Sequence, residues 1–131
     1  MTVRGLLDTS VLIDFLQLPA SSLPDDWAIS TVTLAELAAG PHATGDPAER
    51  AIRQQRLTWA EGSFDALPFD IPAARTFGLV YVAVRAVGRQ PRGRIMDLQI
   101  AAIALANGLP LYTRNPDDFL GLDDLITVVA V

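Results

Sequence analysis

Three carboxylates in this chain interrupt apolar segments, and a fourth follows a late one. Asp8 stands in Leu6-Leu7-Asp8-Thr9-Ser10-Val11-Leu12-Ile13, and Glu36 in Val32-Thr33-Leu34-Ala35-Glu36-Leu37-Ala38-Ala39. Asp97 stands in Ile95-Met96-Asp97-Leu98-Gln99-Ile100-Ala101-Ala102, and Asp118 follows Leu109-Pro110-Leu111-Tyr112 in Thr113-Arg114-Asn115-Pro116-Asp117-Asp118-Phe119. A carboxylate in a core-forming segment loses hydration, and only a partner offsets that loss. No lysine occurs in the chain, and the lone histidine, His42, lies in a loop bounded by Gly40-Pro41 and Gly45. The partner best able to neutralise several converging acids is a divalent cation. Mg²⁺ and Mn²⁺ prefer such oxygen ligands. Once bound, an ion of this kind polarises a phosphoryl oxygen and acidifies a coordinated water, which is the chemistry of phosphodiester hydrolysis.

Each acid also has a simpler explanation. Asp8 could cap a helix, and Asp97 could answer a helix dipole. Glu36 or Asp97 could pair with one of the arginines. Asp118 could cap a turn or face solvent, and Asp117 could replace it as the working acid. All four being incidental is a weaker proposition than any one being so. Thr9, Ser10, Thr113 and Asn115 stand beside the acids, with short polar groups suited either to orienting carboxylates or to capping helices and turns. Zinc is disfavoured by the absence of cysteine, the single histidine and the lack of HExxH. No GxSxG, Walker A or GxGxxG pattern is present.

A chain of 131 residues, half of them hydrophobic, fits one domain spanning 1–131 with a sizeable core. Its apolar runs are too short and too interrupted for a bilayer span, which needs roughly 20 residues. Without cysteine there is no disulfide, and the N-terminus lacks a secretory pattern, so the expected compartment is the cytoplasm. The net charge of −5 counts mildly against nucleic-acid binding by long-range attraction alone. Local clusters tell more: Arg85, Arg89, Arg92 and Arg94 lie close together, and Arg50, Arg53 and Arg56 recur at three-residue spacing. Acids that hold cations, with arginines to hold phosphates, are what a metal-dependent nuclease needs.

The elements that must position these groups alternate. Strands are predicted at Val3–Leu7, Trp27–Ser30, weakly at Leu67–Phe69, and at Leu109–Thr113 and Leu125–Val131. Between them come helices at Ser10–Leu16, capped by Thr9 or Ser10, and at Val32–Ala39. Another runs from Asp46-Pro47-Ala48-Glu49, a capping-box arrangement, to about Ala60. Two more run from Pro72 to Val87 and from Arg94 to Asn107, the last apolar nearly all round and therefore central. Alternation of this kind implies a parallel sheet covered on both faces, an α/β fold. Ligands in such folds bind beyond the carboxyl ends of strands, where Asp8, Asn115 and Asp118 fall.

Taken in order, the four segments that carry the acids resemble a PIN domain, and especially the VapC toxins of bacterial toxin–antitoxin pairs. The similarity spans essentially the whole chain, and Thr113-x-Asn115-x-x-Asp118-Phe119 is its most specific element. The resemblance implies a three-layer α/β/α PIN-like fold around a parallel sheet and a homodimer. It also implies a Mg²⁺- or Mn²⁺-dependent endoribonuclease that hydrolyses RNA through metal-activated water and is inhibited by a VapB antitoxin. Carried over residue by residue, the catalytic and metal-binding acids are Asp8, Glu36, Asp97 and Asp118. Thr9, Thr113 and Asn115 support them, and Arg89, Arg92 and Arg94 are candidates to touch substrate phosphates. Two rivals stand beside this assignment. A catalytically silent PIN-like partner platform would not need the full acidic set. A haloacid-dehalogenase-like phosphohydrolase using Asp8 would need a DxD pattern and a lysine, and the chain has neither.

Overall fold

The computed structural model describes residues 2–131. Its strands are β1 (Arg4–Leu7), β2 (Asp26–Ser30), β3 (Asp65–Leu67), β4 (Leu111–Thr113) and β5 (Val128–Ala130). They form one parallel sheet in the order β3-β2-β1-β4-β5. The α-helices are α1 (Thr9–Ile13), α2 (Thr31–Ala39), α3 (Pro47–Ser63), α4 (Ile71–Ala86) and α5 (Ile95–Asn107).

Successive strand side chains point to opposite faces, so adjacent apolar residues feed two separate cores. Leu6, Ala28 and Leu111 pack with Val80 and Val84 of α4 and with Leu98 and Ile103 of α5. Leu7, Ile29 and Tyr112 pack with Val11, Leu12, Leu37 and Ala60, from α1, α2 and α3. The sheet is therefore the middle of three layers, and its strands are apolar on both faces as a doubly covered parallel sheet requires. The expected α/β/α architecture is what forms. Helix α5 is central as predicted, with Leu98 and Ile100 to Ala104 buried. Gly108 ends it at φ 63°, ψ 33°, a left-handed conformation glycine adopts without a Cβ penalty.

The departures from expectation are local. Helix α1 is capped by Asp8 itself, whose carboxylate takes the Thr9 N–H, rather than by Thr9 or Ser10. It stops at Ile13 instead of Leu16, and a 3₁₀ turn over Phe15–Gln17 follows. That turn seats Phe15 among Trp27, Trp59 and Phe64, at ring-centroid distances of 5.0, 5.0 and 5.9 Å, and leaves Leu16 in solvent. Aromatic packing outweighs the further helical hydrogen bonds. The third strand is Asp65–Leu67 and not Leu67–Phe69, because Pro68 has no N–H for a ladder. Helix α3 runs on to Ser63, and β5 is confined to Val128–Ala130. The capping box at Asp46 stays open. Asp46 takes the Ala48 N–H, while the Glu49 carboxylate turns to Arg53 and the Asp46 N–H goes to Thr44 Oγ1. A charged partner displaces the reciprocal cap.

Candidate active site

From β1 the chain moves to one side of the sheet for β2 and β3, then returns to the other side for β4 and β5. The topological switch point therefore lies between β1 and β4, and the crevice beyond their carboxyl ends is the favoured ligand position. Leu7 is in register with Tyr112, so Asp8, the first residue past β1, lies beside Thr113, the last residue of β4. The Asp8 N–H donates to the Tyr112 carbonyl at 2.9 Å, which fixes the backbone there.

Asp8 is only 4% exposed, and its carboxylate is fully engaged. Oδ1 accepts the Thr9 N–H at 2.8 Å, and Oδ2 accepts the hydroxyls of Ser10 at 2.9 Å and Thr113 at 2.8 Å. Those hydroxyls are held in turn. Ser10 Oγ accepts the Arg114 N–H at 3.1 Å, and Thr113 Oγ1 accepts the Asn115 N–H at 3.0 Å. Burial raises the Asp8 pKa, and the three hydrogen bonds oppose it. Asp8 thus caps α1 while also lying within reach of the charges of the other acids, so the capping role and a place in the candidate site do not exclude each other.

Glu36 reaches the same crevice from α2. Thr9 Oγ1 donates to its Oε1 at 2.7 Å, and Thr9 Oγ1 also lies 2.9 Å from Thr33 Oγ1. A hydroxyl has one proton to give. With Thr9 donating to Glu36, Thr33 must donate to Thr9, and Ser30 Oγ donates to Thr33 at 3.3 Å. Ser30 and Thr33 are fully buried, so a one-directional hydroxyl chain runs from the end of β2 to the Glu36 carboxylate. Burial raises the Glu36 pKa, with a smaller push from the Asp8 charge.

Asp97 sits in the first turn of α5. Its pKa is pushed up to about 6, first by burial and then by the charges of Asp8, Asp118 and Glu36, against a small opposing effect of Arg94. Asp97 therefore lies in the field of all three other acids. Asp118 lies in a short 3₁₀ turn after β4, and Arg94 Nη1 stands 3.6 Å from its Oδ1. Asp117 is exposed, and among the described residues its carbonyl, not its carboxylate, is engaged, accepting from the Arg89 guanidinium and the Leu120 N–H. Asp118 is the member of the pair in the field of Asp8 and Asp97.

The supporting set divides. Thr9 and Thr113 orient carboxylates through their side chains, whereas Asn115 contributes its backbone, by its N–H to Thr113 and its carbonyl to the Asp118 N–H at 3.0 Å. Arg94 lines a 390 Å³ cleft with Glu36 and Asp97, and Arg92 is exposed on the adjoining loop. Sequence reasoning gave Ser30 and Thr33 no part in the site. Their signal was the three-residue spacing from Ser30 through Thr33 to Glu36, which places short hydroxyls on the glutamate's face of α2.

Among the described residues, no three carboxylates already stand close enough to hold a metal ion together. Asp8 is drawn to hydroxyls, Glu36 to Thr9, and Asp118 to Arg94. The donor set nevertheless fits a hard divalent cation. It is all carboxylate oxygen, and neighbouring carboxylate charges add to burial in raising the proton affinity of Asp8, Glu36 and Asp97, a repulsion that a bound cation would relieve.

Residues 5–125 match the PIN domain family. The chain is 42% identical to Ribonuclease VapC5 of Mycobacterium tuberculosis over 132 residues, covering 97% of this chain and 93% of that protein. It is 30% identical to Ribonuclease VapC4 of the same organism over 128 residues, covering 93% of each. Among solved structures, the VapBC-5 toxin–antitoxin structure from Mycobacterium tuberculosis superposes with a TM-score of 0.85 at 38% identity, covering 98% of this chain and 99% of that one. VapBC2 from Rickettsia felis, bound to a promoter DNA fragment, shares the fold at a TM-score of 0.75 and 22% identity, with 95% and 97% coverage.

Proposed function

Since the chain belongs to the PIN domain family and is a VapC-type member of it, we propose that it is a Mg²⁺- or Mn²⁺-dependent endoribonuclease. It acts as the toxin of a type II toxin–antitoxin pair, as a single domain spanning residues 1–131. The observation that carries this reading is the convergence of Asp8, Glu36, Asp97 and Asp118 at the switch point, where burial and mutual repulsion lift Asp97 to a pKa of about 6. The named relatives are ribonucleases and toxin–antitoxin complexes, which supports an RNA substrate and a VapB-type antitoxin.

Asp8 and Asp97 would hold the ion directly, with Glu36 and Asp118 completing its surroundings. When bound, such an ion activates water and stabilises charge on the phosphoryl oxygens. The chain's own groups prepare the site. Thr113 and Ser10 fix the plane of the Asp8 carboxylate, and the Ser30–Thr33–Thr9 relay fixes Glu36. Fixed carboxylates need no reorganisation as charge develops. Arg94 stands at the cleft beside the acids, and Arg89 and Arg92 lie on the same loop. Their guanidinium groups suit the phosphates of the substrate backbone. Hydrolysis leaves a 5′-phosphate and a 3′-hydroxyl.

The antitoxin segment offers an arginine to the four acids and lays apolar side chains on the 350 Å³ groove lined by Leu12, Ile13, Phe15, Ile52 and Trp59. A homodimer in the cytoplasm is the expected working form. No helix among the described residues is long and apolar enough to cross a membrane.

The decisive experiment is sequencing of RNA 5′ ends after brief expression, paired with cleavage of labelled RNA in vitro. New 5′-phosphate ends, produced only with Mg²⁺ or Mn²⁺ and abolished by chelation, are expected. Metal binding without any cleavage would favour a catalytically silent partner platform.

A further inference from the structure

Helix α3 carries Arg50, Arg53 and Arg56 at three-residue spacing, and among the described residues only the first two have partners. Arg50 donates to the carbonyls of Pro41 and Thr44, at 3.0 Å each. Arg53 pairs with Glu49 at 3.0 Å and donates to the Gly40 carbonyl at 2.9 Å. Both brace the turn after α2. Arg56 is half-buried and has no hydrogen bond or ion pair among the described residues.

Arg56 lines two adjoining clefts. One, of 340 Å³, also contains Thr9, Glu36 and Arg53. The other is the 350 Å³ groove that contains Asp14 and Trp59. The acids in these walls that could neutralise Arg56 are already engaged. Asp14 pairs with Arg114 at 3.2 Å, Glu49 with Arg53, and Glu36 Oε1 takes the Thr9 hydroxyl. A guanidinium that has lost part of its hydration without gaining a protein partner is poised for an oxyanion ligand. Glu36 belongs both to this 340 Å³ cleft and to the 390 Å³ cleft that holds Arg94 and Asp97. Glu36 therefore stands between a cleft with a cation on the α5 side, Arg94, and a cleft with a cation on the α3 side, Arg56.

We propose that Arg56 binds a backbone phosphate of the RNA strand flanking the scissile bond, so that the substrate crosses the acids from the Arg94 cleft to α3. This rests on the ribonuclease reading above. A single strand presents phosphates on both sides of the bond being cut, and the acids repel them unless a cation stands on each side. Arg56 supplies the second.

The test uses the full chain with Arg56→Ala and Arg56→Lys. For Mg²⁺-dependent cleavage of a fluorescent single-stranded RNA, Arg56→Ala should raise KM about three- to tenfold, with kcat within about twofold of wild type. In an Asp8→Asn background, which leaves the RNA uncut, Arg56→Ala should make the log–log salt dependence of RNA binding shallower by about 0.7, the loss of one phosphate contact on a single strand. Arg56→Lys should keep the salt slope. The Mg²⁺-induced rise in melting temperature should be the same for Arg56→Ala as for wild type. An unchanged KM and an unchanged slope would overturn the proposal, and so would a loss confined to antitoxin binding. A wild-type chain that cuts no RNA would overturn the ribonuclease reading itself, a different and separable result.

Discussion

Thr113 Oγ1 donates to Asp8 Oδ2 at 2.8 Å across 105 positions of sequence. The bond ties the end of β4 to the end of β1 and fixes the acid at the centre of the site. Its cost if lost is therefore measurable. Thr113→Val keeps the shape and removes the donor, leaving Asp8 with an unmet acceptor. Metal affinity and RNA cleavage should fall about 10- to 100-fold, and Thr113→Ser should recover most of the loss. Wild-type metal affinity in the valine variant would mean that Ser10 and Thr9 suffice to hold Asp8.

Asp8→Asn should abolish RNA cleavage while leaving the metal-free protein folded and at least as stable as wild type. Burial already disfavours the Asp8 charge, and removing it relieves repulsion with Asp118. The hydroxyls of Ser10 and Thr113 can rotate to accept from the new amide. Cleavage near the wild-type rate would remove Asp8 from the site. Failure to fold would instead assign it to capping α1 alone.

Mg²⁺ or Mn²⁺ should raise the melting temperature of the wild-type chain, because a ligand that binds only the folded state stabilises it by mass action. The rise should shrink in Asp97→Asn. Equal rises in both proteins would exclude Asp97 as a ligand.

In the metal-free protein, stability should fall as pH rises from about 4 to about 6. Asp97 has an ordinary pKa of 3.8 and a folded pKa of about 6. Across that window the folded chain binds more proton than the unfolded chain, so raising the pH favours unfolding. Asp8 and Glu36, also raised, act in the same direction. Melting curves from pH 4 to 7 in chelator should show this slope, flattened in Asp97→Asn. A slope unaffected by the substitution would place its origin elsewhere.

An arginine from the antitoxin should bind between the acids, since its planar fork bridges two carboxylates. Without metal, changing that arginine to alanine should weaken the complex strongly against the wild-type chain and less against Asp8→Asn or Glu36→Gln. A double-mutant cycle with no coupling between the arginine and the acids would mean that inhibition does not fill the acidic site.

The sequence by itself determined the layered α/β fold and the order of its elements, because alternating apolar strands and helices are a local pattern that burial enforces. It also marked Asp8, Glu36 and Asp97, since a charge inside an apolar run is conspicuous without knowledge of its neighbours. Only the tertiary structure decided what holds each acid. That Asp8 meets Thr113 follows from β1 lying beside β4, a pairing no local pattern encodes. The Ser30–Thr33–Thr9 relay joins two elements, and its donor direction emerges only once Thr9 is seen to give its proton to Glu36. The arginines show the same division. Their spacing was legible, but Arg50 and Arg53 are spent on the turn after α2 while Arg56 has no partner among the described residues. A guanidinium's availability depends on which carbonyls and carboxylates the folded chain brings within reach, and that is set by packing between distant segments rather than by sequence spacing.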